Sequence, residues 1–245
     1  MILYTKNLVK HFGEVKAVEN VNLSLEEGVI TSLVGPNGAG KTTLINIISG
    51  AIPPDNGKIF FIEKDITNLP PYKRAKMGIG RSFQIPALYN NLTVLDNIRI
   101  AIISYLGKAN KFFYKIDKEV NEKTEEILKI FNFQEKKNLL AQDLSHGDRK
   151  LLDVAIAFSL NPKLVLLDEP TSGVSTSEKR EIMNTIYNVI KERKVTALIV
   201  EHDMDVVFSY SDEIIVMHEG EIIAKGEPSK IKEDKNVEHI LLGVE

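Results

Sequence analysis

Three short stretches carry residue types and spacings suited to phosphate chemistry. The first, GPNGAGKTT at residues 35–43, fits the pattern G-x-x-x-x-G-K-[ST]. Its glycines let the backbone wrap an anion at conformations a Cβ would forbid. The N–H groups from about Gly38 to Thr43 would then point inward as an anion nest. Lys41 adds a mobile positive charge for the β- and γ-phosphates, and the Thr42 hydroxyl suits Mg²⁺, a hard ion that prefers oxygen ligands. The candidate nucleotide-binding residues are thus Gly35, Asn37, Gly38, Ala39, Gly40, Lys41, Thr42 and Thr43. This pattern indicates a nucleoside triphosphate but not a reaction.

The second stretch, LVLLDEP, ends a predicted strand with Asp168 and Glu169. Asp168 is a natural Mg²⁺ partner. Glu169 is free to orient or deprotonate a water, which favours hydrolysis over transfer; two acids before a proline can also simply end a strand. His202 closes TALIVEH, again just past a strand, whereas His11, His218 and His239 read as surface or packing residues. The third stretch, DLSHGDRKLL at 143–152, has two readings. Ser145 and Asp148 ahead of an apolar run make a capping-box pattern. A helix N-terminus also attracts phosphate.

The elements that must position these groups alternate. Residues 1–30 read as short strands, then VITSLVG (29–35) as a buried strand entering the glycine-rich loop and an apolar helix. Residues 53–66 read as a turn and one strand, 118–133 as a helix, and Ser145 to Leu160 as a helix stopped by Asn161-Pro162. Strand 163–170, a helix near 177–193, strand 196–202, a hairpin turning at Glu219-Gly220 and a closing helix follow. Such alternation implies a mostly parallel sheet with ligand sites at its carboxyl ends.

Composition sets bounds. The chain has 245 residues, 43% hydrophobic and 27% charged, with a formal net charge of −3; this is globular and gives no sign of nucleic-acid binding. It has no cysteine, hence no disulfide or thiolate metal site. MILYTKNLVK lacks a signal-peptide core. The richest apolar run, VLDNIRIAIISYL, is cut by Asp96, Asn97 and Arg99 and falls short of a membrane span. A cytoplasmic chain is expected, meeting a membrane only through partners.

Taken in order, these segments resemble the nucleotide-binding cassette of ABC transporters, over essentially the whole chain. The resemblance implies an α/β fold: a P-loop NTPase (RecA-like) core with an N-terminal antiparallel β-subdomain and an inserted helical subdomain. It implies one domain over 1–245, with its core at about 1–84 and 161–228, helices at about 85–160 and a C-terminal helix at about 229–243. It implies an ATPase using ATP and Mg²⁺, in which Phe12 stacks on adenine and Thr42, Gln84 and Asp168 serve the metal. Glu169, His202, Gln84 and Lys41 would be catalytic, and Gln84, in GRSFQIP, would also couple to a permease. LSHGD would be the signature motif, whose Ser145 and Gly147 touch the γ-phosphate held by a second cassette, packed head to tail. The two readings of DLSHGDRKLL then merge, because a capped helix end offers N–H groups to an anion.

Two departures stand out. His146 and Asp148 replace a glycine and a glutamine of the usual Leu-Ser-Gly-Gly-Gln, and Ser175 replaces the acid of the usual Ser-Ala-Leu-Asp. GIGRSFQIPALYNNLTVLDNI, VEHDMDVVF and the ending in Leu-Leu-Gly resemble the branched-chain amino acid and urea uptake branch. That branch implies transmembrane permease subunits, an extracytoplasmic solute-binding protein and a place at the cytoplasmic face of the membrane. Branched-chain amino acids are the expected solute; the alternatives are a urea or other amide or amino-acid importer, a lipopolysaccharide-export cassette and a stand-alone ABC ATPase with a soluble partner. A GTPase is disfavoured because Asn110-Lys111 is followed by Phe112-Phe113 rather than x-Asp. Lysines and aromatics at 107–120 read as a solvated loop or, alternatively, a lipid or permease contact.

Overall fold

A computed structural model describes residues 1–108 and 118–242. Most of segment 107–120 lies outside the described residues. Two sheets organise the rest. Strands β1 (Leu3–Phe12), β2 (Val15–Val21), β3 (Ser24–Leu25), β5 (Asn56–Phe61) and β6 (Lys64–Asp65) form an antiparallel sheet in the order β2-β1-β5-β6, with β3 also paired to β1. The single strand expected over 53–66 is therefore a hairpin. Its two-residue turn, Ile62 and Glu63, has positive φ at both positions, as a type I′ connection requires.

Strands β4 (Ile30–Val34), β7 (Ile79–Arg81), β8 (Leu164–Asp168), β9 (Thr196–Val200), β10 (Glu213–His218) and β11 (Glu221–Gly226) form the second sheet, ordered β11-β10-β4-β9-β8-β7. All its pairs are parallel except the β10–β11 hairpin. Strands β4, β8 and β9 are buried at every residue, as their near-continuous apolar runs demand of a parallel sheet covered on both faces.

The period of two then sorts their side chains. Val165, Leu167, Ala197 and Ile199 face a core shared with helices α3 (Val94–Tyr105), α4 (Lys118–Ile130), α5 (His146–Ser159) and α6 (Thr176–Arg193). Leu164, Leu166, Leu198 and Val200 face the other way, onto α1 (Lys41–Ser49) and the antiparallel sheet. The apolar stretch with Asp96, Asn97 and Arg99 is thus α3. Thr93 starts it by accepting from Asp96 N at 3.1 Å, and the Asn97 side chain bonds both the N–H and the carbonyl of Tyr89.

Helix α2 (Pro71–Met77) precedes β7, and α7 (Met204–Tyr210) follows His202. The closing helix is two: α8 (Pro228–Glu233) and α9 (Lys235–Leu242). Asp234 separates them, because its Oδ1 accepts from Asn236 N at 2.9 Å and starts the second helix. Val237 and Ile231 seat the pair against Val34, Ile214 and Val216.

Candidate active site

The parallel neighbours β4, β9 and β8 bring three loops to one edge of the sheet, where sites form in open α/β sheets. The glycine-rich loop follows β4, Glu169 follows β8 and His202 follows β9. Gln84 arrives beside them from the end of β7. Together they line an open cleft of about 420 Å³ with Phe12, Val15, Ala17 and residues 37–43. Phe12 ends β1 half exposed, so the antiparallel sheet supplies a ring to the mouth of the cleft.

The loop's glycines have two reasons. Gly38, at φ +82°, would place an added Cβ in open space, so backbone conformation alone selects glycine there. Gly40, at φ +98°, caps α1, and its Cβ would lie 2.0 Å from the Ala17 carbonyl oxygen. That glycine is required by the neighbouring strand as well as by any ligand. Lys41 Nζ donates to the carbonyls of Gly35 at 2.7 Å and Pro36 at 2.9 Å. Burial pulls its pKa down, opposed by the charges of Glu169 and Asp168.

Glu169 is the hub of the acid side. Its φ of +50° turns the chain sharply off β8, a strained conformation for a residue with a side chain. One carboxylate oxygen lies 2.9 Å from His202 Nε2, and Gln84 Nε2 donates to the other at 3.1 Å. Asp168 is 1% exposed and lies 3.8 Å from Arg81. Burial pushes its carboxyl up, against the pull of Arg81. Its Oδ1 is buried without a hydrogen-bond partner. The unpartnered Asp168 oxygen, with the Thr42 hydroxyl and the Gln84 side chain that line the cleft, would make an oxygen donor set that fits Mg²⁺. Among the described residues no three acids, histidines or cysteines cluster as a metal cage.

Ser145 and Gly147 do not join this cleft; they border a separate groove with Asp148, Glu178 and Ile182. Ser145 caps α5, accepting from Asp148 N at 3.1 Å. The expected capping box is only half formed. The Asp148 carboxylate accepts instead from the Ser145 hydroxyl at 2.9 Å and from Lys136 at 2.7 Å. The reciprocal box lies at Ser175 and Glu178 of α6, so the serine that replaces an acid starts a helix. His146 leans on this turn, 3.3 Å from the Ser172 carbonyl oxygen. A Cβ on Gly173 would lie 3.0 Å from the same ring nitrogen.

Sequence reasoning missed four supporting residues. Arg81 bonds Ser49 and Asn46 of α1 at 2.7 and 2.6 Å. Glu201, next to His202, accepts from Thr171 Oγ1 at 2.8 Å and Thr171 N at 3.1 Å, and burial raises its pKa against those bonds. Lys150 and Asp153 of α5 hold the Gln84 loop. In the sequence they are two charges three apart on a helix that also carries Asp148 and Arg149, so nothing local singles them out.

The likenesses to known proteins agree with this geometry. A family model described as ABC transporter matches residues 18–172. The chain is 40% identical over 248 residues to a probable branched-chain amino acid transport ATP-binding protein, LivG, of Archaeoglobus fulgidus, covering 100% of this chain and 96% of that one. A solved ATP-binding cassette of an ABC transporter, MJ1267, superposes with a TM-score of 0.88 at 38% identity, covering 98% of each chain. The dimeric post-hydrolysis structure of the cassette MJ0796, bound to ADP and Pi, matches with a TM-score of 0.79 at 27% identity over 93% of this chain and 99% of that one. With a phosphate loop, an acid, a glutamine and a histidine converging at one sheet edge, the chain belongs to the ABC transporter family as an ATP-binding cassette, and it is an ATPase.

Proposed function

We propose that the chain powers uptake of branched-chain amino acids, as one of two cassettes attached to membrane-spanning permease subunits at the cytoplasmic face. The relative from Archaeoglobus fulgidus carries that transport in its name. No helix among the described residues is long and apolar enough to cross a membrane, so the solute path would belong to the permeases. An extracytoplasmic solute-binding protein would deliver the solute. The working division is a core at about 1–84 and 161–228, helices at about 85–160 and a C-terminal segment beyond 228.

The observation that carries the chemistry is the convergence of Gln84 and His202 on the Glu169 carboxylate, facing the loop of Lys41. Phe12 would stack on adenine. The N–H groups of Gly38 to Thr43 and the Lys41 ammonium would hold the phosphates. Mg²⁺, held by Thr42, Asp168 and Gln84, would neutralise charge on the phosphate oxygens. Glu169 accepts the proton of the attacking water, Gln84 orients that water and His202 donates toward the γ-phosphate.

Ser145 and Gly147 lie off the cleft, and this favours a site completed by a second copy. The capped N-terminus of α5 in one copy would meet the phosphates held by the other. Binding energy made across the interface would close the pair, and loss of the γ-phosphate would reopen it. Closure would pull on permease helices docked near Gln84 and the exposed Ile85 and Tyr89.

The test is purification of the tagged chain from native membranes with its partners. Permease chains and a binding protein that retains leucine, isoleucine or valine are expected. Recovery with soluble proteins alone would replace the importer with a stand-alone ATPase.

A further inference from the structure

Two charged residues of α5 are almost wholly buried yet have no part in the chemistry above. Lys150 is 3% exposed and Asp153 is 5% exposed. Burying an ammonium and a carboxylate is expensive unless each is fully hydrogen-bonded, and a helix that merely packs would carry aliphatic residues there. Both groups are satisfied, and their partners are the loops of the active site.

Asp153 Oδ2 accepts from Phe83 N at 2.7 Å, and its Oδ1 accepts from Ala87 N at 3.2 Å. These two N–H groups bracket Gln84. Lys150 Nζ donates to the Gln84 carbonyl oxygen at 2.5 Å, to Ser172 Oγ at 2.8 Å and to the Glu169 carbonyl oxygen at 3.2 Å. All three ammonium protons are therefore used. One helical turn grips the backbone of the glutamine and of the acid, whose side chains meet at 3.1 Å. The same helix begins at Ser145.

We propose that Lys150 and Asp153 are positioning residues for ATP hydrolysis: a clamp on α5 that sets the Gln84 loop against Glu169. The proposal rests on the ATPase roles given above to Gln84 and Glu169. Any shift of α5 at its phosphate-facing end is carried directly to the loop that holds Gln84, and motion of that loop is carried back. Lys150 needs a compact three-proton donor, which the planar guanidinium of arginine does not reproduce.

The test is a double-mutant cycle between D153A and Q84A on the full chain, reading kcat, ATP affinity and amide exchange. D153A should lower kcat by about tenfold or more while ATP affinity stays within about twofold, and on the Q84A background it should cost less than about threefold. Exchange of the Phe83 and Ala87 amides should quicken in D153A and not in Q84A. If D153A folds poorly, D153N, which keeps the volume and one acceptor, serves in the same cycle. Full additivity with Q84A, or a loss of ATP affinity in step with kcat, would overturn the clamp and leave a packing role. Wild-type protein that binds ATP without hydrolysing it would overturn the underlying reading instead, whatever the amide exchange shows. K150R should fall short of wild-type kcat; full activity in K150R would reduce Lys150 to a charge.

Discussion

Glu169 and His202 meet at 2.9 Å, carboxylate oxygen to Nε2, although they leave different strands and lie 33 residues apart. The parallel pairing of β8 with β9 makes this contact, through the register Asp168 opposite Val200. A base at this point has its second oxygen oriented by Gln84. E169Q keeps the volume but only one of the two acceptor oxygens, and it cannot accept a proton from water. It should bind ATP normally and lose about 10² to 10³ in turnover, the scale of a removed transition-state group. Single-turnover hydrolysis measures this directly, and near-normal turnover would remove Glu169 from the role of base.

Ser145 stands at the start of α5 and away from the cleft. A large side chain there should not disturb the nucleotide held in the same copy. S145R is expected to bind ATP with wild-type affinity and to block closure of the pair. Sizing by chromatography with ATP, in the E169Q background, should give a monomer where E169Q alone gives a dimer. An ATP-driven dimer of the double variant would sink the idea that this helix end meets phosphate across an interface.

Much of this was legible beforehand because local chemistry and global topology agree. The glycine-rich loop, Glu169 and His202 each follow a largely apolar strand of five buried residues, and such runs are readable as strands. The supporting shell was harder to read. Lys150, Asp153 and Glu201 act through backbone groups far away in sequence, and Arg81 through the side chains of Asn46 and Ser49; no local pattern names such partners. The hairpin at Ile62-Glu63 was hidden because a β-branched residue at positive φ is a poor turn signal. The break at Asp234 was hidden because acids and lysines there fit a helix as well as a cap.

Burial raises the Asp153 carboxyl from 3.8 to about 6, only partly offset by the Phe83 and Ala87 N–H groups. The folded pKa lies above the unfolded one. The favourable contribution of the protonated form is thus fully present below about pH 4 and is lost as pH rises through 6. The loss amounts to about 2–3 kcal/mol by pH 7, at about 1.4 kcal/mol per pKa unit. D153N cannot titrate. The stability gap between wild type and D153N, measured by urea unfolding, should therefore narrow as pH goes from 4 to 7. A gap that stays flat would show that Asp153 does not titrate with a raised pKa.

Arg74 is 1% exposed, and its guanidinium serves four carbonyl oxygens. Its NH1 donates to Ile47 and Ile48, each at 2.7 Å, at the C-terminal end of α1, while Nε and NH2 reach Leu69 and Thr67 at 2.8 Å. A cation suits a helix C-terminus, where unpaired carbonyls carry partial negative charge. Gly50 leaves the room, since a Cβ there would lie 2.8 Å from Arg74 Nε. Burial lowers the arginine pKa to about 10, so the charge persists at neutral pH. R74M fills similar space but abandons all four acceptors, and should cost about 2–4 kcal/mol in urea unfolding. R74K should recover only part of this, because one ammonium cannot span carbonyls fixed for a planar fork. Wild-type stability in R74M would mean that those carbonyls are satisfied by water, and that the end of α1 does not depend on this arginine.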